Sequence, residues 1–223
     1  MPPLDHLHRL YTASDPVYSG KVSVPVLWDR QDGRIVNNES ADIVRMFNTA
    51  FDGLTGNRLD LYPADLRPQI DVWNARIYDN LNNGVYRAGF ARAQSAYEGA
   101  VRDVFDTLDA LEAHLENNRY LAGQWLTEAD IRLFVTLVRF DAAYHGAFKC
   151  NIRRLADYPA LSAYVREIYQ WPGIADTVKV DQIKQGYYGI ERVNPTRIVP
   201  LGPELDFTAP HGREALPGQG IRK

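Results

Sequence analysis

The spacing of hydrophobic residues changes near residue 53 and divides the chain into two parts. In the first part, apolar residues at helical spacing in 4–12 precede two short runs rich in β-branched residues, 22–28 and 34–36. A segment of turn composition, Asp29-Arg30-Gln31-Asp32-Gly33, separates the two runs, and helical spacing returns after Ser40. This pattern predicts a helix, a two-stranded hairpin and a second helix, in that order.

Both predicted helices of the first part have recognisable ends. The turn Ser14-Asp15-Pro16 is expected to stop the first helix, whose apolar face carries Leu4, Leu7, Leu10 and Tyr11. The second is expected to begin with Ser40 as its N-cap, and Asp42 suits the positive end of the helix dipole. The apolar residues predicted to share one face of the second helix are Ile43, Met46, Phe47 and Phe51. The order helix, strand, strand, helix is that of the second half of a thioredoxin-like domain.

After residue 68 the pattern is helical throughout. One predicted helix carries Ile70, Trp73, Ile77 and Leu81, and a longer one carries Val101, Val104, Phe105, Leu108, Leu111 and Leu115. Thr127 and Asp130 are spaced to cap a helix start reciprocally, with Leu126 packing on Ile131. The helix after this cap is apolar on most sides, so it should lie at the centre of a bundle. A last core helix should begin near Pro159 and end at Trp171-Pro172-Gly173.

These patterns predict an α+β chain in which a partial thioredoxin-like unit is followed by an all-α bundle. We expect the thioredoxin-like part at 1–53, a linker rich in Gly, Asn and Pro at 54–68 and the helical domain at 69–193. Residues 194–223 are rich in Pro and Gly and are expected to form a tail that wraps the helical body.

Composition and charge exclude several classes of partner. A net charge of -3 with scattered Lys and Arg gives no electrostatic footprint for nucleic acid. No run approaches the roughly 20 apolar residues needed to span a bilayer, and residues 1–5 do not resemble a signal segment. The single cysteine, Cys150, allows no internal disulfide, which favours a reducing, cytoplasmic location. The five histidines show no metal-ligand spacing beyond His6 and His8, which lie two apart on a predicted helix and so point to different faces; we therefore expect no metal site.

Several long motifs identify the chain as similar to one family. VPVLWD at 24–29, IVNNES at 35–40 and LTEADIRLF at 126–134 resemble glutathione transferases. NNGVYRAGF at 82–90, FKCN at 148–151, NPTRIVPLGP at 194–203 and PHGR at 210–213 narrow the resemblance to the Xi class, the glutathionyl-hydroquinone reductases. The resemblance implies reductive deglutathionylation, in which a cysteine thiolate attacks the sulfur of a glutathionyl-hydroquinone and a second glutathione releases the enzyme. It also implies glutathione as co-substrate and a homodimer formed through the helical domain.

Three features depart from that family. Its nucleophilic cysteine lies in an N-terminal Cys-Pro-Trp-Ala motif that does not occur in these 223 residues. Ala147 and Arg197 stand where the family often has histidine and glycine. We therefore expect weak or absent reductase activity, with three interpretations open: a truncated reductase, a non-catalytic binding or dimerisation module, and an enzyme completed by a separate chain.

The resemblance places a glutathione site in the first part of the chain. It implies a cis bond between Val24 and Pro25, with the Val24 backbone pairing with the cysteinyl part of glutathione. Pro25 on an edge strand without a ligand role is the alternative. Glu39 would pair with the ammonium group and Ser40 would hold the γ-glutamyl carboxylate at a helix N-terminus. Ser40 could also be only a cap.

The resemblance places an aromatic substrate site in the second part. Tyr86 and Tyr187 match tyrosines that line the family's quinol site, where a phenolic O–H can donate to a quinol oxygen. Tyr188 is adjacent and is the alternative to Tyr187, and a core tyrosine without catalytic role is the alternative for both. Cys150 is interpreted as a buried, inert thiol rather than the nucleophile.

Overall fold

The computed structural model describes residues 5–223, so Leu4 of the predicted first helix lies outside the described residues. The described residues up to Asp60, with Lys223, form one compact unit, and Leu61–Arg222 form a second. No helix of the described residues is long and apolar enough to cross a membrane.

The first unit contains a hairpin flanked by short helices. Helix α1 spans His8–Ser14 and ends where predicted, but residues 5–7 form a bend and a turn rather than helix. Strands β1 (Leu27–Asp29) and β2 (Arg34–Asn37) pair antiparallel, with Trp28 opposite Ile35. The connecting turn is closed by Asp29, whose Oδ1 accepts the backbone N–H groups of Gln31 at 2.7 Å and Asp32 at 2.9 Å.

The first strand is shorter than the predicted run 22–28. It begins only at Leu27, because Pro25 has no amide hydrogen and residues 22–26 find no strand to pair with among the described residues. The side chain of Tyr11, 2% exposed, holds this irregular segment by donating to the Ser23 carbonyl at 2.7 Å.

The second predicted helix forms, but with a different cap and a more exposed face. Helix α2 spans Ser40–Thr49, and its N-cap is Glu39, whose extended backbone lets its carboxylate accept from the Ala41 amide at 3.2 Å. The prediction of Ser40 as N-cap was therefore wrong. Of the four predicted apolar positions only Ile43 is buried. Phe47 and Phe51 are 55% and 41% exposed and contact each other through their rings. A short helix α3, Asp52–Thr55, was not predicted.

The second unit is helical. Its helices are α4 (Arg67–Ile77), α5 (Gly84–Gly89), α6 (Gln94–Leu115), α7 (Glu128–Arg139), α8 (His145–Ala147), α9 (Pro159–Tyr169) and α10 (Val180–Tyr188). Two π-helical turns, Tyr78–Asn82 and Phe140–Tyr144, continue α4 and α7, and short 3₁₀ turns lie at Leu155–Asp157 and Ala175–Thr177.

The periodic apolar residues of this unit form its core. All six predicted apolar positions of α6 are buried, and α4, α7 and α9 contribute to the same cluster. Helix α9 begins at Pro159 as predicted. Helix α10 was not predicted, because it has no capping side chain and carries Gly186 near its end, so the sequence gives no start signal and a weakened helical pattern.

A buried carboxylate fixes the start of α7. Asp130, 0% exposed, accepts from the backbone N–H of Thr127 at 2.8 Å and from its hydroxyl at 3.0 Å, so the acidic half of the predicted reciprocal cap is formed. It also accepts from the Leu121 amide and the Tyr164 hydroxyl. Burial raises the pKa of Asp130, and these four donors oppose that effect.

Beyond Tyr188 the described residues contain no helix or strand, and buried hydrogen bonds hold this segment to the second unit. Arg213, 4% exposed, pairs with Glu167 at 3.0 Å and donates to the carbonyls of Leu115, Asn118 and Arg119. Leu126 donates its amide hydrogen to the Gly220 carbonyl at 2.8 Å. These contacts replace secondary structure as the means of fixing the tail.

Candidate functional site

Three tyrosine hydroxyl groups meet in the second unit. The hydroxyl oxygens of Tyr86 and Tyr187 lie 2.5 Å apart, and those of Tyr144 and Tyr187 lie 2.8 Å apart. Tyr86 belongs to α5, Tyr187 to α10, and Tyr144 ends a π-helical turn. The structure therefore brings together the two tyrosines predicted from the sequence and adds a third.

The two π-helical turns position these side chains. Tyr144 is the last residue of the turn after α7, and Tyr86 follows the turn after α4. The turn after α4 is tied to α7 by Asn82, whose Nδ2 donates to the Thr136 hydroxyl at 2.5 Å and to the Arg132 carbonyl at 3.1 Å. Such turns insert an extra residue into a helix and are frequent at functional sites.

Aromatic rings surround the hydroxyl cluster. Phe148, fully buried, contacts the rings of Tyr86, Tyr144 and Tyr187 at centroid distances of 5.3, 5.6 and 5.5 Å. A Cβ atom on Gly89 would lie 2.3 Å from the Phe148 ring, so this close approach requires glycine. The hydroxyl groups are thus held at fixed positions by packed rings.

Burial keeps the two inner tyrosines of the cluster protonated. Tyr144 is 2% exposed, and burial raises its pKa far above the ordinary value. Burial also raises the pKa of Tyr187 to about 12, against the lowering effects of the hydrogen bond with Tyr144 and the positive charge of Arg139. In each hydroxyl pair either oxygen can be the donor. In the arrangement in which Tyr144 donates to Tyr187 and Tyr187 donates to Tyr86, the O–H of Tyr86, a residue that is 39% exposed, is left to donate to a ligand oxygen.

Tyr188 lies elsewhere although it is next in the chain. Its hydroxyl oxygen lies against Gly146, where an added Cβ would be 2.0 Å away. Burial raises the pKa of Tyr188, and a hydrogen bond from the Ala147 backbone opposes this. The tyrosine that meets Tyr86 is Tyr187.

Cys150 is unsuited to act as a nucleophile. Its side chain is 0% exposed, and its sulfur has one polar contact, a weak one with the Phe148 carbonyl at 3.9 Å. Burial raises the pKa of the Cys150 thiol to about 12, so the thiolate is scarce at neutral pH. Among the described residues no group of three or more His, Cys, Asp or Glu side chains could hold a metal ion.

The predicted glutathione-binding residues all lie in the first unit. The bond between Val24 and Pro25 is cis, as the family resemblance implied, and Val24 is 74% exposed. The backbone amide and carbonyl groups of Val24 make no hydrogen bond within the described part of the chain. Glu39 and Ser40 are exposed at the start of α2, with the Ser40 hydroxyl 3.4 Å from Glu39 Oε1.

Sequence reasoning missed Tyr144 and Arg139. Tyr144 stands four residues before Phe148 of the FKCN motif, a spacing that places two side chains on one helical face. Arg139 ends the apolar helix α7 and would be expected there only as a cation near a helix C-terminus. Neither signal distinguishes a site residue from a structural one.

Comparison with known proteins gives consistent relatives. Residues 94–167 match the family model of the glutathione S-transferase C-terminal domain. Glutathionyl-hydroquinone reductase PcpF of Sphingobium chlorophenolicum is 56% identical over 200 residues, which cover 89% of this chain and 64% of that protein. Glutathionyl-hydroquinone reductase YqjG of Escherichia coli is 53% identical, covering 94% and 64%. The chain thus spans less than two thirds of the length of these relatives.

Solved structures agree with these matches. The glutathione-bound structure of YqjG from Escherichia coli matches with a TM-score of 0.91 and 53% identity, over 94% of this chain and 68% of that one. The Xi-class glutathione transferase of Natrialba magadii matches with a TM-score of 0.94 and 47% identity, over 97% and 68%. The chain therefore belongs to the Xi class of the glutathione transferase family.

Proposed function

We propose that this chain binds glutathione through its first unit and a hydroquinone through the tyrosine cluster of its second, within a glutathione-dependent reductase of glutathionyl-hydroquinones. The observation that carries the proposal is the hydrogen-bonded series Tyr144, Tyr187, Tyr86, with distances of 2.8 and 2.5 Å. The names of PcpF and YqjG, and the glutathione bound to YqjG, support the same assignment.

The tyrosine series suits the bond cleavage that this reaction needs. The step requires the keto tautomer of the hydroquinone ring, in which the carbon that bears sulfur has taken up the proton of the ring hydroxyl. When a thiolate attacks the sulfur of this tautomer, a disulfide forms, the carbon–sulfur bond breaks and its electron pair passes to the keto oxygen as the ring becomes aromatic again. A fixed O–H donor stabilises the negative charge on that oxygen until it takes up a proton. Tyr86 would be that donor, because its hydroxyl is the exposed end of the series. Tyr187 and Tyr144 would stabilise the negative charge that develops on Tyr86.

Glutathione recognition would use exposed groups of the first unit. The Val24 amide and carbonyl would pair with the cysteinyl backbone of glutathione as an added strand. The amide of Ser40, the first residue of α2, has no hydrogen-bond partner within the described residues and would bind the γ-glutamyl carboxylate. Glu39, exposed beside it, would pair with the ammonium group of the ligand.

The thiol for this chemistry would not be Cys150. It is the only cysteine in the 223 residues, and it is buried with a raised pKa. The 223-residue chain by itself would therefore bind both ligands without turnover. That behaviour also fits the second candidate, a non-catalytic binding and dimerisation module, which the same burial of Cys150 favours. We further propose a homodimer and a cytoplasmic location.

Calorimetric titration of the 223-residue chain with glutathione and with hydroquinone tests the proposal. We expect both to bind, and Tyr86→Phe and Tyr187→Phe each to weaken hydroquinone binding by about tenfold without changing glutathione binding. Tyr188→Phe is the matched control, since its hydroxyl lies outside the cluster. Glu39→Gln, which removes the proposed partner of the ammonium group, should weaken glutathione binding without changing hydroquinone binding. Failure of both ligands to bind would reject the proposal.

Turnover separates the catalytic alternatives. Glutathione-dependent release of hydroquinone from its glutathionyl conjugate should be absent in the wild-type chain and in Cys150→Ala. Turnover that is present and is lost in Cys150→Ala would make Cys150 the nucleophile. Light scattering of the same samples tests for the homodimer, and a monomer at all concentrations would reject that part.

A further inference from the structure

A cleft of about 320 Å³ lies beside the tyrosine cluster in the second unit. Its walls are the last two turns of α7, the segment Thr177–Lys179 and one face of α10. The buried side chains of Phe134 and Val138 contribute an apolar part, and Tyr187 lines the cleft as well. A volume of this size is at the lower end of the range for small-molecule sites.

The charges that line the cleft have one sign. Arg139 and Lys179 are lining residues, and among the described residues that line the cleft none is Asp or Glu. The carboxylate nearest to Arg139 in the chain, Asp141, is engaged elsewhere: it accepts the backbone N–H groups of Leu155 and Ala156 at 2.6 and 3.0 Å. The cleft therefore favours an anionic group over a neutral one.

The Arg139 guanidinium group has N–H donors that make no hydrogen bond with the described residues. Its Nη1 donates to the Val135 carbonyl in the preceding turn of its own helix, and no carboxylate pairs with it in the part of the chain that the structure describes. The side chain is half-buried, and the described residues supply no carboxylate as a counter-ion for its guanidinium group. The planar guanidinium matches a carboxylate, which can accept two parallel hydrogen bonds.

Tyr187 connects this cleft to the site described above. It lines the cleft and bonds to the Tyr86 hydroxyl at 2.5 Å, so an aromatic ring held at Tyr86 could place a substituent among the cleft residues. We propose that this cleft binds an anionic substituent of the aromatic substrate, with Arg139 and Lys179 as its counter-ions. The substrate class is then a hydroquinone that carries a carboxylate group. This inference rests on the proposed function and specifies its substrate.

The test compares hydroquinone with 2,5-dihydroxybenzoate, the same ring with one carboxylate, by calorimetric titration of the full chain. The wild-type chain should bind the acid about tenfold more tightly, as expected for a charge-assisted contact, and the preference should decrease with added salt. Arg139→Gln should remove the preference, because it should weaken binding of the acid about tenfold more than it weakens binding of hydroquinone. Lys179→Gln should reduce the preference in part.

Arg132→Gln is the matched control. Arg132 lies two turns earlier on α7, with its guanidinium carbon 5.7 Å from the centre of the Tyr78 ring, and it does not line the cleft. This variant should retain the full preference for the acid. Arg139→Lys keeps the charge and should retain part of it, which separates loss of charge from misfolding.

The outcomes are distinguishable. Binding of hydroquinone with no advantage for the acid would overturn the inference and leave the proposed function standing. An equal loss for both ligands in Arg139→Gln would overturn it too, because the side chain would then be only structural. If Arg139→Gln weakened the binding of glutathione, titrated by itself, as strongly as it weakened the binding of the acid, the anion that Arg139 recognises would be a group of glutathione. The inference would then be wrong. If neither aromatic ligand bound to the wild-type chain, the proposed function and the inference would fail together.

Discussion

Tyr86 and Tyr187 are separated by 101 residues in the chain, and their hydroxyl oxygens lie 2.5 Å apart. The contact joins α5 to α10, and through Tyr144 it reaches the end of the π-helical turn after α7. A hydrogen bond between two partly buried phenols leaves one proton to be donated outward, which is the property the proposed reaction uses.

Replacing Tyr144 with Phe should weaken ligand binding although Tyr144 itself is buried. The change removes the hydrogen bond between Tyr144 and Tyr187 while keeping the ring packed between Phe140 and Phe148. We expect hydroquinone affinity to fall about three- to tenfold and the free energy of unfolding to fall by about 1 kcal/mol, the effect of one hydrogen bond. Calorimetry and urea unfolding measure the two effects.

Tyr97→Phe controls for the loss of a hydroxyl group. The Tyr97 hydroxyl donates to the Lys149 carbonyl at 2.6 Å and makes no bond to the cluster. The Tyr97→Phe variant should lower the free energy of unfolding by a similar amount and leave hydroquinone affinity unchanged. Equal affinity in wild type and Tyr144→Phe would show that the series ends at Tyr187.

Gly89→Ala should disturb the site through packing. The new Cβ would overlap the Phe148 ring at 2.3 Å, so the ring must move away from Tyr86 and Tyr187. We expect a loss of about 1–3 kcal/mol in the free energy of unfolding, as for other overpacked cores, together with weaker hydroquinone binding. Gly99→Ala is the matched control on α6, where the added Cβ would have no atom within 4 Å apart from its chain neighbours and the backbone of its own helix. That variant should gain up to about 1 kcal/mol because alanine favours a helix.

The residues whose structural role was predicted correctly are those whose local sequence pattern agrees with their surroundings in the folded structure. The apolar face of α6 repeats at helical spacing from Val101 to Leu115 and is buried throughout, so its periodicity alone located it. The Asp130 half of the α7 cap follows from a spacing of three residues. Both depend on interactions within one helix or one buried face.

The residues that were missed depend on longer-range geometry. Tyr144 reaches Tyr187 through a π-helical turn, whose extra residue shifts the helical register without a sequence signal. Phe47 and Phe51 have the spacing of buried residues, yet the small hairpin unit covers only Ile43 of that face. Glu39 displaced Ser40 as cap because its longer side chain folds back to the Ala41 amide, a choice that depends on the backbone angles at the helix start.

Removing the Arg213 guanidinium should destabilise the second unit strongly. Arg213 and Glu167 are 4% and 3% exposed and form an ion pair at 3.0 Å. Four backbone carbonyls also accept from Arg213, those of Leu115, Asn118, Arg119 and Ala160. Arg213→Met should cost about 3 kcal/mol or more in the free energy of unfolding, since it leaves buried acceptors unpaired. Glu167 keeps Arg119 at 2.6 Å, which limits the loss. Arg154→Met, in an exposed pair with Asp157, should change stability little under the same denaturant titration.

Arg197→Gly should stabilise the protein. Arg197 has φ 54°, a left-handed conformation that residues with a Cβ rarely adopt. Relief of that strain stabilises the folded state, while the greater conformational freedom of glycine in the unfolded chain opposes it. The net effect should raise the free energy of unfolding by about 0.5–1 kcal/mol. Arg197→Ala removes the exposed pair with Glu191 but keeps the Cβ, so it should show no gain. A gain in both variants would assign the effect to the ion pair instead.

The burial of Cys150 should appear as a pH dependence of stability. Burial raises the pKa of its thiol to about 12, while an unfolded cysteine titrates near about 8.5. The unfolded state therefore releases this proton first, so the contribution of Cys150 to stability is fully present below about pH 8.5 and decreases as the pH rises toward 12. The decrease should approach about 1.4 kcal/mol per pH unit between the two pKa values.

Cys150→Ala should lack this component, so the unfolding free energies of the wild-type protein and this variant should converge between pH 8.5 and 11. Parallel curves would mean that the native thiol ionises normally. Alkylation by iodoacetamide at pH 8, slow in the native protein and fast in urea, checks the same burial independently.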